Sequence, residues 1–426
     1  MDAPLRIAFF SPPFASHLAL HTALAERLVA RGHECVLVHH EDVGLPRGSS
    51  LQLEAVSADW SPQGVIAHAR KPGLPFGVLR TVRDMAAMTQ TLCREAPERL
   101  RRLGVDGVVV DQAESAGGIV AEALGLPFAS VAAAVPINPD PTLPLPVLPW
   151  PWDPSEAGLK RNRGGERVAA FLTRRLDGVI AEEAARLGAA PKRGPTDCLS
   201  PLADISQLVP GLDFPRSALP GHFHYVGPIR GSTSGAVTPL PVPDKRKPLV
   251  FASFGTLQGH RVRCFRKLAR ACREAGAQLL LAHCGALDAR KANSVGADWV
   301  VDRVDQRAAV ALADLVVTHA GLNTVLDALE AEKPMLCVPL AFDQPGVAAR
   351  VARVGAGEVL KERASAQAIR EAVTRLLASN EAKRAAAGLA REIRASGGVG
   401  AACDIIEQAL ITRRPVLREG VARNAA

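Results

Sequence analysis

Short apolar runs alternate along the chain with longer amphipathic stretches, and this alternation predicts a repeated β-α-β rhythm. Leu5 to Phe10 is an apolar run of strand length, Ser16 to Arg31 has helical spacing with Gly32 as its stop, and Cys35 to His39 is a second apolar run. Strand, helix and strand in such quick succession imply a parallel pair. The pattern returns at Gly107 to Val110, Ala116 to Leu124 and Phe128 to Val131, with Gly125 closing the helix. Asp111 is therefore expected just past the C-terminal end of a strand.

From Val135 to Pro154 the texture changes. Pro136, Pro139, Pro141, Pro144, Pro146, Pro149, Pro151 and Pro154 deny that stretch a regular ladder. Interleaved Leu143, Leu145, Val147, Leu148, Trp150 and Trp152 suit either the wall of an apolar ligand site or a rigid surface crossover. A second change comes at Arg230 to Pro248, where Gly, Ser, Thr and Pro dominate, as in an interdomain linker. Beyond it the rhythm resumes: strands at Leu249 to Ser253, Gln278 to Ala282, Leu315 to Thr318 and Met335 to Val338, helices at Cys264 to Ala275 and Leu322 to Glu330.

The expected fold is α/β, with two doubly wound domains facing each other. Residues 1–229 form the first, 230–248 the linker and 249–400 the second, while 401–426 hold a helix that could cross back to the first domain and then a tail. A length of 426 residues and an apolar content of 48% suffice for two cores. Disorder is expected only at the extreme end, Arg418 to Ala426.

Composition narrows the function classes. The net charge of +8 comes from arginines scattered along the chain, without the block of like charges of a nucleic-acid-binding arm. Such a balance favours a polyanionic small molecule and weak docking on an anionic membrane surface. The eight cysteines include no CxxC pair, which argues against a zinc knuckle or a redox motif. Neither a cleavable leader nor a membrane-spanning apolar run is evident, so a cytoplasmic location is expected, with peripheral contact at the inner face of the membrane left open.

In open parallel sheets, ligands bind outside the carboxyl ends of strands, so chemistry is sought in the loops there. The chain has no GxGxxG and no P-loop, which argues against standard NAD, FAD or nucleoside-triphosphate binding. Thr318-His319-Ala320-Gly321-Leu322-Asn323-Thr324-Val325-Leu326-Asp327 follows a strand and opens a helix, an arrangement whose free amides suit phosphate oxygens. His319 and Thr324 could add donors, and Asp327 could accept from ribose hydroxyls. A polar cap on a packed helix is the plainer alternative. Asp343-Gln344, at a later strand exit, pair a carboxylate with an amide suited to neighbouring sugar hydroxyls, and Ser253 and Thr256 flank a glycine able to approach a phosphate.

Together these loops resemble the UDP-dependent glycosyltransferases, whose signature runs His-x-Gly-x-Asn-Ser/Thr, then an acidic residue, then Asp-Gln. Val226-Gly227-Pro228 and Asp305-Gln306 match further landmarks of that family. Leu322 to Leu329, Asp343-Gln344-Pro345 and Asp111-Gln112 followed by Ser115-Ala116-Gly117-Gly118-Ile119 are most similar to its bacterial zeaxanthin glucosyltransferases.

The resemblance implies the GT-B architecture, inverting transfer from UDP-glucose and no cofactor or catalytic metal. It nominates His17 as the base, with Asp111 orienting the imidazole, and assigns Ser253, Thr256, Arg303, Gln306, His319, Gly321, Asn323, Thr324, Asp327, Asp343 and Gln344 to the donor. Asp327 stands where most of the family has a longer glutamate. Arg303 stands where many members place an aromatic ring against uracil, and either stacks in that role or faces solvent. His21, four residues after His17, lacks the glutamate of HExxH and a third ligand, so a zinc site is rejected. The acceptor is expected to be a carotenoid, with a polyketide, sterol or phenolic aglycone as the alternative. A nucleotide-sugar-binding protein without catalysis is the reading from another class. Oligomeric state is not readable from the sequence.

Overall fold

The computed structural model describes residues 3–45, 49–71, 73, 76–231 and 238–418. The expected linker positions 232–237 and most of the expected disordered tail, 419–426, lie outside these described residues.

The first lobe runs β1 (Arg6–Phe10), α1 (Ala15–Val29), β2 (Glu34–His40), β3 (Gln52–Val56), α2 (Pro62–Ala69), α3 (Phe76–Leu103), β4 (Gly107–Asp111), α4 (Ser115–Ala123), β5 (Phe128–Ala132), α5 (Glu156–Leu187), β6 (Asp204–Ser206) and β7 (Phe223–Tyr225). Its seven strands are parallel in the order β3-β2-β1-β4-β5-β6-β7. The central strands are continuously apolar because helices cover both faces, α1 on one side and α3, α4 and α5 on the other. Asp111 is the last residue of β4 and pairs in register with Val131, one position inside the strand and not past its end. The buried carboxylate is tolerated there because His17, His21 and the Ala113 amide all hydrogen-bond it.

The second lobe runs β8 (Leu249–Ser253), α6 (Gly255–Gln258), α7 (Val262–Glu274), β9 (Gln278–Ala282), α8 (Ala289–Asn293), β10 (Trp299–Val301), α9 (Gln306–Leu312), β11 (Leu315–Thr318), α10 (Leu322–Glu330), β12 (Met335–Cys337), α11 (Gln344–Arg353), β13 (Gly357–Val359), α12 (Ala366–Ala378), α13 (Asn380–Ala395) and α14 (Gly398–Thr412). Its six parallel strands lie in the order β10-β9-β8-β11-β12-β13.

The chain then returns to the first lobe. Ala402, Cys403, Ile406, Ala409 and Leu410 of α14 share a core with Leu20, Leu24 and Leu28 of α1. Arg31 pairs with Asp404 at 2.7 Å and with Glu407, which also meets His33 Nε2 at 2.8 Å. A second tie between the lobes is buried: Arg350 of α11 contacts Asp213 at 2.8 Å, and Asp213 also accepts from Arg216 and Tyr225. Four groups share one site, so the charges leave water without being left unpaired.

Candidate active site

Both sheets change direction at their centre, and this sets the cleft. In the first, the chain moves outward from β1 to β2 and β3, then starts again on the other side with β4. The loops after β1 and β4 therefore splay apart and leave a crevice. The second sheet repeats this between β8 and β11.

The first crevice holds His17, Asp111 and His21. His17 Nδ1 lies 2.7 Å from Asp111 Oδ2, and His21 Nε2 lies 3.1 Å from the same oxygen. Positions 17 and 21 are one turn apart on α1, so both rings fall on the face turned toward β4. Asp111 Oδ1 accepts from the Ala113 amide at 2.9 Å. Burial raises the pKa of Asp111, but the two imidazoles outweigh it and hold the carboxyl well below its usual range. The ionised oxygen calls for the proton on His17 Nδ1, leaving the Nε2 lone pair for the cleft. Burial would lower the pKa of His17, yet the charge and hydrogen bond of Asp111, aided by Asp343 of the other lobe, raise it above 6.5. The rings of Phe14 and Phe342 meet across the cleft with centroids 6.0 Å apart.

On the opposite wall, Gly321 caps α10 without a capping side chain, so the first amides of the helix stay open. A Cβ on Gly321 would stand 2.6 Å from His319 Nε2, so glycine is what lets the ring fold over the helix start. Burial lowers the pKa of His319 to about 4 against a raising contact with the Ser253 backbone, leaving a neutral imidazole.

Arg230 enters this site from the first residue of the expected linker. Its Nε lies 3.2 Å from Asp327 Oδ1, its Nη1 donates to Gln207 Oε1 at 2.9 Å, and its Nη2 donates to the Asn323 carbonyl at 3.2 Å. Gln306 Nε2 donates to Asp327 Oδ2 at 2.6 Å, so both oxygens of that carboxylate are engaged. Thr324 Oγ1 donates to Gln306 Oε1 at 3.3 Å. Gln306, Asn323, Thr324 and Asp327 thus form one hydrogen-bonded group around a guanidinium.

Asp343 and Gln344 close the cleft on the side of the proline-rich segment. Asp343 Oδ2 accepts from the Val135 amide of the first lobe at 3.2 Å, and burial raises its pKa. Gln344 Oε1 accepts from the amides of Leu340 and Ala341 at 2.9 and 2.8 Å, which leaves its NH2 group, and not its oxygen, for a ligand. The Gly346 amide donates to the Pro146 carbonyl at 3.0 Å. Gln112, beside Asp111, anchors the start of the same segment by accepting from Ile137 at 2.9 Å and donating to Asp204 at 2.6 Å.

Residues 271–396 match the glycosyltransferase family 28 C-terminal domain. Over 418 residues, 96% of this chain and 97% of the relative, the chain is 43% identical to the zeaxanthin glucosyltransferase of Pantoea ananas. It belongs to this glycosyltransferase family. The zeaxanthin glucosyltransferase of Pseudescherichia vulneris is 42% identical, with 95% of this chain and 97% of that one covered. Among solved structures, the glycosyltransferase of kitacinnamycin has a TM-score of 0.75 at 20% identity, and the calicheamicin glycosyltransferase CalG4 has 0.74 at 21%. These alignments cover 96% and 97% of this chain and all of each neighbour, and give it the two Rossmann-like domains of the GT-B fold. The neighbour VinC was solved in complex with dTDP.

The glycosyltransferase therefore has its expected site residues on two facing walls, with some departures in detail. Ser253 is buried and accepts from the Gly255 amide at 3.3 Å, whereas Thr256 is exposed on α6. Arg303 is exposed after β10. His21, set aside once zinc was rejected, is the second imidazole on Asp111, and its spacing from His17 carried that signal. Arg230 was counted only as linker composition, because nothing local marks a long side chain that will fold back into a cleft. Among the described residues no group of three or more His, Cys, Asp or Glu is arranged to hold a metal ion, and no helix is long and apolar enough to cross a membrane.

Proposed function

We propose that this glycosyltransferase moves glucose from UDP-glucose to the terminal hydroxyls of a carotenoid such as zeaxanthin, with inversion at the anomeric carbon. The observation that carries the chemistry is the His17 imidazole, held by Asp111 and turned toward Asp343. The acceptor and sugar are supported by the two relatives above 40% identity, both zeaxanthin glucosyltransferases.

His17 Nε2 takes the acceptor hydroxyl proton as its oxygen forms a bond to the anomeric carbon, and the bond from that carbon to the diphosphate breaks. The attacking oxygen and the leaving UDP lie on opposite faces of the sugar, so one displacement inverts the centre. Asp111 stabilises the imidazolium that forms. Arg230, the neutral His319 and the open amides of α10 meet the charge on the departing diphosphate, so the reading needs neither cofactor nor metal. Asp343 and the amide of Gln344 bind sugar hydroxyls, Asp327 and Gln306 the ribose, and Ser253, Thr256, Asn323 and Thr324 the phosphates. Arg303 lies beside the base.

The test is purified protein with UDP-glucose, EDTA and zeaxanthin in detergent micelles. Mono- and diglucosides with β-linked sugar are expected. Glucosides of a macrolide or flavonoid but none of zeaxanthin would replace the acceptor, and α-linked product would remove the single displacement.

A further inference from the structure

We infer that the exposed face built from the N-terminal halves of α3 and α5, with the tip of the proline-rich segment, docks on the surface of an anionic phospholipid bilayer. Helix α5 is anchored near its C-terminal end, where Leu176, Ile180 and Ala184 enter the core with Leu92 and Cys93 of α3. Its start is anchored too, by buried Gly158 and Asn162. The stretch between, from Arg163 to Arg175, is mostly exposed, with Gly165 lying against Trp150 and Leu148 of the proline-rich segment.

Apolar side chains stand out on this free stretch and beside it. Val168 is 61% exposed and Phe171 62%, with Phe76 at 71%, Leu79 at 46% and Val147 at 54%. Both α3 and α5 run back toward strands of one parallel sheet, β4 and β6, so the two helices run in the same direction. Arg94 bonds Glu183, 89 positions on, and Arg186 bonds the Cys93 carbonyl, 93 positions back, which sets their register. At equal rise per residue that register brings Phe76 and Leu79 level with the turns that carry Val168 and Phe171. Val147 belongs with them, since its neighbour Trp150 packs on Gly165 and lies under Arg161 at 5.2 Å.

The charge around these residues selects the partner. Residues 156–175 carry six cations, Lys160, Arg161, Arg163, Arg167, Arg174 and Arg175, against two carboxylates, Glu156 and Glu166. Lys160, Arg163, Arg167, Arg174 and Arg175 have no acidic partner among the described residues. Arg174 lies 4.5 Å over the Phe171 ring, so the aromatic body and the cation project together. Aromatic and aliphatic tips ringed by arginines match a bilayer interface, where the tips enter the acyl boundary and guanidinium groups bind lipid phosphates. A second copy of the chain would set this cationic face against its own like charge.

The face also lies at the right edge of the lobe. The N-terminal ends of α3 and α5 sit at the carboxyl edge of the sheet, the edge that carries Asp111 and the loop to His17. Docking there turns the acceptor side of the cleft toward the lipid, so a membrane-dissolved acceptor reaches His17 without crossing water. That purpose rests on the carotenoid reading; the docking itself does not.

The experiment is flotation of the full chain with vesicles of phosphatidylcholine alone and of phosphatidylcholine with phosphatidylglycerol. Binding to the anionic vesicles is expected to be at least tenfold stronger and to fall with added salt. Val168→Ser with Phe171→Ser, and separately Arg167→Glu with Arg174→Glu, should each lower it at least tenfold while leaving transfer to a micellar acceptor unchanged. Arg270→Glu on the far lobe should leave it as it was. In the unmodified chain, hydrogen exchange should slow at 163–175 on adding anionic vesicles. Equal binding to both vesicles, unaltered binding by the paired variants, no protection at 163–175, or a dimer of the unmodified chain that the paired variants abolish would each overturn the inference. Vesicle binding without carotenoid glucosides would leave the docking and remove the acceptor.

Discussion

His17 and Asp111 are 94 positions apart in the chain, yet their side chains meet at 2.7 Å in the crevice between β1 and β4. The contact holds the imidazole by one nitrogen and leaves the other facing the donor lobe. His17→Ala is expected to reduce glucose transfer by about 10²–10⁴-fold with donor binding preserved, since a general base contributes on that scale. Turnover followed by UDP release and UDP affinity by calorimetry make the check.

The same pair predicts a pH profile. The base works as the neutral imidazole, and its pKa is raised above 6.5, so kcat/KM should climb with pH through a limb lying above 6.5. Asp111→Asn removes the charge that raises it. The limb should then move to lower pH while the maximal rate falls, and a limb that stays in place would detach the profile from His17.

Arg230 engages Asp327, Gln207 and Asn323 from a segment that also joins the lobes. Arg230→Ala should weaken UDP binding and lower kcat/KM for the donor by about tenfold or more, since a hydrogen bond to a charged group contributes roughly 1.5–3 kcal/mol. Arg230→Lys should recover only part, because an ammonium cannot span the same acceptors. Unchanged UDP affinity in Arg230→Ala would remove the residue from the site.

Gly346 lies under the proline-rich segment, and a Cβ there would stand 2.3 Å from the Pro146 carbonyl oxygen. Gly346→Ala should push that segment off α11 and raise KM for the acceptor several-fold more than KM for the donor. Steady-state kinetics with each substrate varied in turn reads the split.

Glu114 is buried, and burial carries its pKa from 4.5 to about 7 although Ala116 and Thr89 donate to it. A raised folded pKa means that its protonated form favours the fold. That contribution is whole below pH 4.5 and is lost as pH rises through about 7. Glu114→Gln keeps the acceptor oxygen and cannot ionise. It should match the wild type at pH 4.5 and exceed it at pH 8 by about 3 kcal/mol, at 1.36 kcal/mol per pKa unit, seen as a higher Tm.

Much of the fold was legible because its signals are local. Leu249 to Ser253, Gln278 to Ala282, Leu315 to Thr318 and Leu322 to Glu330 have the boundaries that their apolar runs imply. Strands buried on both faces are almost continuously apolar, and that texture needs no knowledge of partners. The peripheral elements were harder. β3 is an edge strand in which only Val56 is buried, β6 and β7 are three residues each, and α3 and α5 are amphipathic helices whose sequence does not say which sheet they cover.

The sequence by itself determined which residue types stand at which strand exits, since spacing along the chain is a covalent fact: His17 after the first strand, Asp111 at the end of another, His319 to Asp327 at a helix start, Asp343-Gln344 after the next strand. Tertiary structure alone decided what those groups touch. The crossover from β1 to β4 brings Asp111 to two histidines, the fold-back of the linker brings Arg230 to Asp327, and the seat of Pro146 on α11 is accompanied by a backbone amide bound to Asp343. Such contacts depend on sheet order and lobe orientation, which follow from the summed burial of many side chains and are written in no single stretch of the chain.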